Sequence, residues 1–124
     1  MAETSPNRRA GRIFLKIGGE QYDAKGSFTY NPGGVKRECI AGADKVHGFK
    51  EAVQVPFVEG EITDRGDLDL ATLQAIEDTT VTLELATGKV FVLRNAWYAA
   101  DGDVQTEEAV IQCRFEGISG EEVV

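Results

Sequence analysis

Residues 90–98, Val-Phe-Val-Leu-Arg-Asn-Ala-Trp-Tyr, constrain the fold more than any other stretch of the chain. In an extended strand Phe91, Leu93 and Trp97 share one face, and Val90, Val92, Ala96 and Tyr98 share the other. Both faces therefore suit burial, whereas an antiparallel sheet ordinarily buries one face and leaves the other wet. Such a strand needs a second cover, from its own chain or from a neighbouring molecule. Apolar runs at 81–86 and 109–115 flank it, with Thr87-Gly88-Lys89 and Ala100-Asp101-Gly102-Asp103 as turn segments. An antiparallel meander over residues 80–119 is expected.

The remaining segments read as a setting for that meander. Ile13, Leu15 and Ile17 alternate, and Gly18-Gly19 supplies a tight turn into a returning strand over 20–30, with a bulge or a close backbone approach expected at Gly26. Asn31-Pro32-Gly33-Gly34 stops it, and 35–40 is a short strand. Residues 41–50 show no clean period and read as a long loop, which in a small domain is usually functional. Residues 50–63 read as the longest strand, with Pro56 marking an edge or an irregularity. Asp67 is the expected N-cap of a helix over 68–77, whose Leu70, Leu73 and Ile76 form a narrow apolar stripe. The 124 residues have room for one domain, burying roughly two-thirds of the unfolded surface. That domain would have a polar arm at 1–10 and a tail at 118–124. The fold class expected is mainly β, a two-sheet β-sandwich or partly open barrel with one short flanking α-helix.

The composition excludes several kinds of function. A net charge of −8 argues against wrapping nucleic acid on a basic surface. No run approaches the ~20 apolar residues of a membrane span, and residues 1–9 lack the apolar core of a signal peptide, so a cytoplasm-like compartment is expected. The charge is uneven: residues 1–50 carry nine Lys/Arg and five Asp/Glu, whereas 51–124 carry four and sixteen. Either an acidic face is simply solvated, or the surface is self-complementary and one copy meets the opposite end of another. Cys39 and Cys113 are far apart and read as two small buried side chains kept reduced. His47 is the single histidine and has no second one to complete a metal site or relay. No nucleotide-binding, nucleophile-elbow or zinc-protease motif occurs, and the acidic residues lack metal-loop spacing. No enzyme activity and no cofactor are expected.

The ordered motifs resemble the tail-tube proteins of contractile-tailed bacteriophages, the Mu-like group in particular. The resemblance rests on the Gly18-Gly19 hairpin, on Lys36-Arg37-Glu38 leading to Val46-His47-Gly48-Phe49-Lys50, on the short acid-capped helix, and on Thr87-Gly88 followed by a strand ending Asn95-Ala96-Trp97. It covers about residues 12–115. It implies a two-sheet β subunit that closes six-membered rings, which stack into a tube. That tube conducts DNA without binding it specifically, and encloses a tape-measure protein before ejection. A contractile sheath surrounds it, with baseplate and tail-terminator proteins as further partners. The setting would be the virion tail, reached from the host cytoplasm during assembly, with no membrane. A tube of the type VI secretion or phage-tail-like bacteriocin kind is the alternative, and a monomeric binding module a third.

Placed on this chain, the resemblance and the charge pattern give two sets of candidates. Contacts between subunits or rings would come from Arg8 and Arg9 in the arm and Lys36 and Arg37. Asp44, Lys45, Val46, His47, Phe49 and Lys50 would add to these, with Val90, Val92 and Tyr98 on the two-faced strand. Phe91, Leu93 and Trp97 would then be core. An acidic lumen would repel phosphates and let DNA slide, and Glu59, Glu61, Glu84 and Glu116 are its candidates.

Overall fold

The structure, a computed structural model, describes residues 13–66 and 68–124. β1 (Phe14–Ile17) turns into β2 (Glu20–Tyr22) through Gly18 and Gly19, whose φ angles of 60° and 91° are open to glycine at little cost. β3 (Ala24–Asn31) follows, with a register break between Lys25 and Thr29 where the bulge was expected. Then come β4 (Gly34–Ala41), β5 (Val46–Gln54), β6 (Phe57–Thr63) and the helix α1 (Leu70–Gln74). β7 (Thr79–Glu84), β8 (Val90–Tyr98), β9 (Val104–Gln105), β10 (Val110–Glu116) and β11 (Ser119–Val123) complete the chain.

One curled sheet runs β2-β1-β7-β8-β10-β6-β3, with β11 added to β8 and β9 to β10. β8 is the strand about which it curls. The first half of β8 pairs with β7 along one edge and β11 along the other, while Trp97 and Tyr98 pair with β10. The core lies inside the curl. Leu15, Ile17, Val81, Leu83, Phe91 and Leu93 face Val58, Ile62, Ile111, Cys113 and Phe115. Each of the larger side chains contributes roughly 1.5–3 kcal/mol by its burial. The result is the partly open β-barrel expected from the strand pattern, with β4 and β5 as a separate small sheet.

Five expectations change. Residues 41–50 are not a loop: their second half begins β5, which pairs with β4. Residues 50–63 are not one strand, because Val55 and Pro56 separate β5 from β6. The helix is confined to Leu70–Gln74 and its cap is Asp69, whose Oδ1 accepts from Ala71 N at 3.0 Å; Asp67 lies outside the described residues. The tail is a strand, β11, hydrogen-bonded along β8. Finally, the faces of β8 do not alternate to its end. Asn95 takes a φ of 53°, the β7–β8 register shifts between Thr79 and Val81, and the alternation resets. Ala96 is thereby buried at 0% exposure, and Trp97 is only half-buried.

Candidate functional site

β4 and β5 carry the larger share of the expected contact residues, and their geometry follows from a preserved register. Asn31 lies opposite Phe57, and Gly34 lies opposite Gln54, three residues further along both strands. The β3–β6 pair and the β4–β5 pair are therefore one antiparallel ribbon, bent where Pro32 and Pro56 interrupt the ladder. The bend is tight. Gly33, at φ 81°, accepts no β-carbon without bringing it to 2.7 Å from Pro56 Cγ, and its N–H is held by Asn31 Oδ1 at 2.8 Å.

Beyond the bend the ribbon contributes nothing to the core: no residue from Gly34 to Gln54 is buried. Direct pairs place Val35 with Val53, Arg37 with Glu51 and Cys39 with Phe49 on one face. Lys36, Glu38, Ile40, Lys50 and Ala52 take the other, where Lys50 Nζ meets Glu38 Oε2 at 3.6 Å. The first face is mostly apolar and bare, with Val53 at 88% exposure and Phe49 at 55%; Cys39, expected to be buried, is exposed there because no core lies behind the hairpin, and only Cys113 is buried. The Arg37 guanidinium covers part of the Phe49 ring at 5.3 Å. At the tip, Gly42 N donates to Lys45 O at 2.8 Å and His47 Nε2 meets Asp44 Oδ1 at 3.0 Å. That hydrogen bond from His47 holds the Asp44 carboxyl below its ordinary range. Lys36, Arg37, Asp44, Lys45, Val46, His47, Phe49 and Lys50 thus all stand on one exposed hairpin.

Three of the four expected lumen acids meet on the outer face of β6 and β10. Arg114 joins two of them, donating from Nη1 to Glu59 Oε2 at 2.8 Å and from Nε to Glu116 Oε2 at 3.0 Å. The Arg114 guanidinium also stacks 4.1 Å above the Phe57 ring. Gln112 donates to Glu61 Oε2 at 2.9 Å. Asp101 and Asp103 close one side of this polar groove, opposite Ser27 and Thr29. Glu84 is elsewhere, on the outer face of β7 beside Lys16 Nζ at 3.4 Å. Arg114, Gln112, Asp101 and Asp103 were not assigned to this face from sequence. Alternation of Gln112, Arg114 and Glu116 against buried Ile111, Cys113 and Phe115 was the signal that could have found the first two.

Val90 and Val92 lie half-buried on the outer face of β8, the side away from the core. Register runs through four strands: Phe14 pairs with Glu84, Glu84 with Val90, and Val90 with Val123. Tyr98 is turned inward instead, its ring edge-on to Phe115 at 5.5 Å and its hydroxyl donating to Gln112 O. Burial raises its pKa above the ordinary phenol value. Trp97 with Val35, Val53, Val55 and Ile118 lines an apolar groove of about 500 Å³ at the ribbon's elbow. Arg8 and Arg9 lie outside the described residues. Among the described residues, no group of three or more His, Cys, Asp or Glu is placed to hold a metal ion.

Comparison with known proteins agrees with this architecture. The tail tube protein of Escherichia phage Mu is 30% identical over 93 residues, covering 75% of this chain and 78% of that protein. The sheath/tube terminator of an extracellular contractile injection system, in its extended state, superposes with a TM-score of 0.68 at 11% identity, over 98% of this chain and all of that one. The tube-terminating cap of the anti-feeding prophage gives 0.64 at 12% identity, over 98% and 95% of the two chains. The sheath–tube complex of an extracellular contractile injection system, also extended, gives 0.63 at 11% identity, over 94% and 92%. At these identities the solved structures speak for the fold alone. The family described as phage tail tube protein matches residues 6–122, and the chain belongs to that family of structural, non-enzymatic proteins.

Proposed function

We propose that the protein is the repeating subunit of the inner tube of a contractile tail, closing six-membered rings that stack into a continuous channel for DNA. The observation that carries this reading is the hairpin from Gly34 to Gln54, folded and paired yet bare on its apolar face. A two-stranded ribbon is marginal by itself in water, so its stability in use depends on a neighbour. Lys36, Arg37, Asp44, Lys45, Val46, His47, Phe49 and Lys50 then touch an adjacent subunit or ring, helped by Arg8, Arg9, Val90 and Val92. The groove face with Glu59, Glu61 and Glu116 lines the channel, where negative charge keeps phosphates from sticking. Sheath, tape-measure, baseplate and terminator proteins are the partners, in a virion tail assembled in the host cytoplasm.

Purified protein concentrated and viewed by negative-stain electron microscopy should show rings or tubes with a central channel. A chain that stays monomeric at every concentration, with or without an assembly initiator, would overturn the proposal. The fold shared with extracellular contractile injection systems favours a second reading, a tube in a particle without DNA. Nuclease-protected DNA in intact particles distinguishes the two.

A further inference from the structure

The ribbon's elbow has two apolar walls that face each other. Val35 lies four residues beyond Asn31, and Val53 lies four before Phe57. An even spacing keeps both valines on the side of the ribbon that Asn31 and Phe57 occupy. Trp97 stands on that side too, because Phe57 pairs with Glu116 and Glu116 with Trp97. It is the outer side, since Val58 and Phe115 in the next row are buried in the core. Val35 and Val53 thus form one wall of the groove of about 500 Å³, and Trp97 and Ile118 form the other. We infer that the hairpin is a strap: in the free subunit it closes at the elbow and brings Val35 and Val53 onto Trp97 and Ile118. It lifts when the subunit is built into an assembly, and this second half of the inference rests on the tube reading.

The elbow has the parts of a hinge. Its ladder is interrupted between the Asn31–Phe57 pair and the Gly34–Gln54 pair. Gly34 holds a φ of 97° with open space where a β-carbon would stand, so the backbone can pivot there. The body wall is anchored. Gly117 N donates to Pro56 O at 3.1 Å and Ile118 N to Arg94 O at 3.1 Å, and Gly120 leaves no room for a β-carbon against Pro32. The hairpin wall has no such ties among the described residues. Its Asp44–His47, Glu38–Lys50 and Arg37–Phe49 contacts all stay within the hairpin.

Closure takes apolar surface out of water, with Val53 at 88% exposure, Ile118 at 70% and Val35 at 53% before it. Glu116 is the only charged residue lining the groove, and Arg114 Nε already holds it at 3.0 Å. No unpaired charge therefore stands between the walls. A two-stranded ribbon is marginal in water, and in a free subunit the anchored wall is the apolar surface on its own side. Once closed, the same valines are withheld from any neighbour. Assembly then waits for a partner surface that favours the lifted hairpin over the closed one.

Trp97 is the only tryptophan, so its fluorescence reports on the groove. In the dilute free subunit, acrylamide should quench it about twofold or more faster in Val53→Asp than in the unaltered chain, because a charge on the hairpin wall opposes closure. In a Cys39→Ala chain carrying Val53→Cys and Ile118→Cys, mild oxidation should form a bridge within one chain, since a disulfide requires α-carbons within about 7 Å. Cys113 stays out of the reaction, because it is buried and its thiol is pushed up to about 12. The bridged chain should migrate as a compact monomer on a non-reducing gel and form no tubes until it is reduced. Equal quenching in the two chains, or failure of the bridge to form, would overturn closure. A bridged chain that assembles as readily as the reduced one would overturn the strap and leave the tube reading standing. Closure with no tubes from the reduced chain would overturn the tube reading, and with it the lifting.

Discussion

Tyr30 stacks on Phe91 across the open seam of the barrel, with ring centroids 4.5 Å apart and planes inclined by 27°. β3 and β11 share no ladder there, so this stack and the hydrogen bond from the Tyr30 hydroxyl to Glu122 hold the two edges together. Phe91 is fully buried. Phe91→Ala should cost about 3–5 kcal/mol in chemical denaturation, and Tyr30→Phe about 1 kcal/mol or less, because its hydroxyl bond is exposed. Equal losses for the two would mean that the hydroxyl, rather than the ring stack, holds the seam.

The bend at the ribbon's elbow requires glycine at position 33. Gly33→Ala places a β-carbon 2.7 Å from the Pro56 ring at a φ of 81°. A loss of about 1–3 kcal/mol is expected, measured by thermal unfolding. Gly19→Ala, at φ 91° but with open space around it, should cost only the backbone strain, about 1 kcal/mol.

Alkaline pH should weaken the fold through groups that resist ionisation. Burial raises Cys113 to about 12. The hydrogen bond to Glu122 and burial raise Tyr30, and burial raises Tyr22 and Tyr98. A raised pKa means that the folded state holds its proton more tightly than the unfolded state. The stabilisation is complete below the unfolded values, about 8.5 for cysteine and 10 for tyrosine. It is lost as pH climbs through the folded ones. Denaturation midpoints should be flat from neutrality to about pH 8.5 and fall above it; a midpoint that rises above that pH would contradict the assignment.

On the groove face, Arg114 shares its charge between Glu59 and Glu116. Arg114→Met should cost little stability, on the order of 1 kcal/mol, because the group is partly exposed. Reversing Glu59 and Glu61 to lysine tests the channel directly. Particles carrying Glu59→Lys and Glu61→Lys should release DNA more slowly at low salt, with the defect relieved as salt rises. Release indifferent to both charge and salt would place that face away from the DNA path.

Sequence periodicity disclosed whatever the core imposed. Leu15 and Ile17 alternate because both are buried, and the Gly18-Gly19 turn and the β7–β8 hairpin stand where their glycines put them. The partly open barrel follows from those runs. What periodicity hid has specific causes. The reset at Asn95 depends on one positive φ, which no apolar pattern announces, so Trp97 was placed in the core and Ala96 outside it. The hairpin was half read as a loop because its apolar residues face no core and Gly42 and Gly48 break its rhythm. β11 was read as a tail because its exposed Glu121 and Glu122 give it no apolar period, while its backbone completes the edge of β8. The acids at 59, 61 and 116 were legible as a group, but the role of Arg114 was not: it shares β10 with Glu116, and only the fold sets it beside Glu59 on β6.

The central claim is that the hairpin serves other copies and not its own core, and removing it tests this directly. Residues 36–52 can be replaced by an Asn-Gly turn between Val35 and Val53, which already pair in register. Sedimentation and electron microscopy of this chain beside the full-length protein are the measurement. The shortened chain should unfold cooperatively within a few degrees of the full-length subunit, since no buried residue is lost, yet remain monomeric where the full-length chain forms tubes. Tubes of normal length from the shortened chain, or a subunit that no longer folds, would contradict the account.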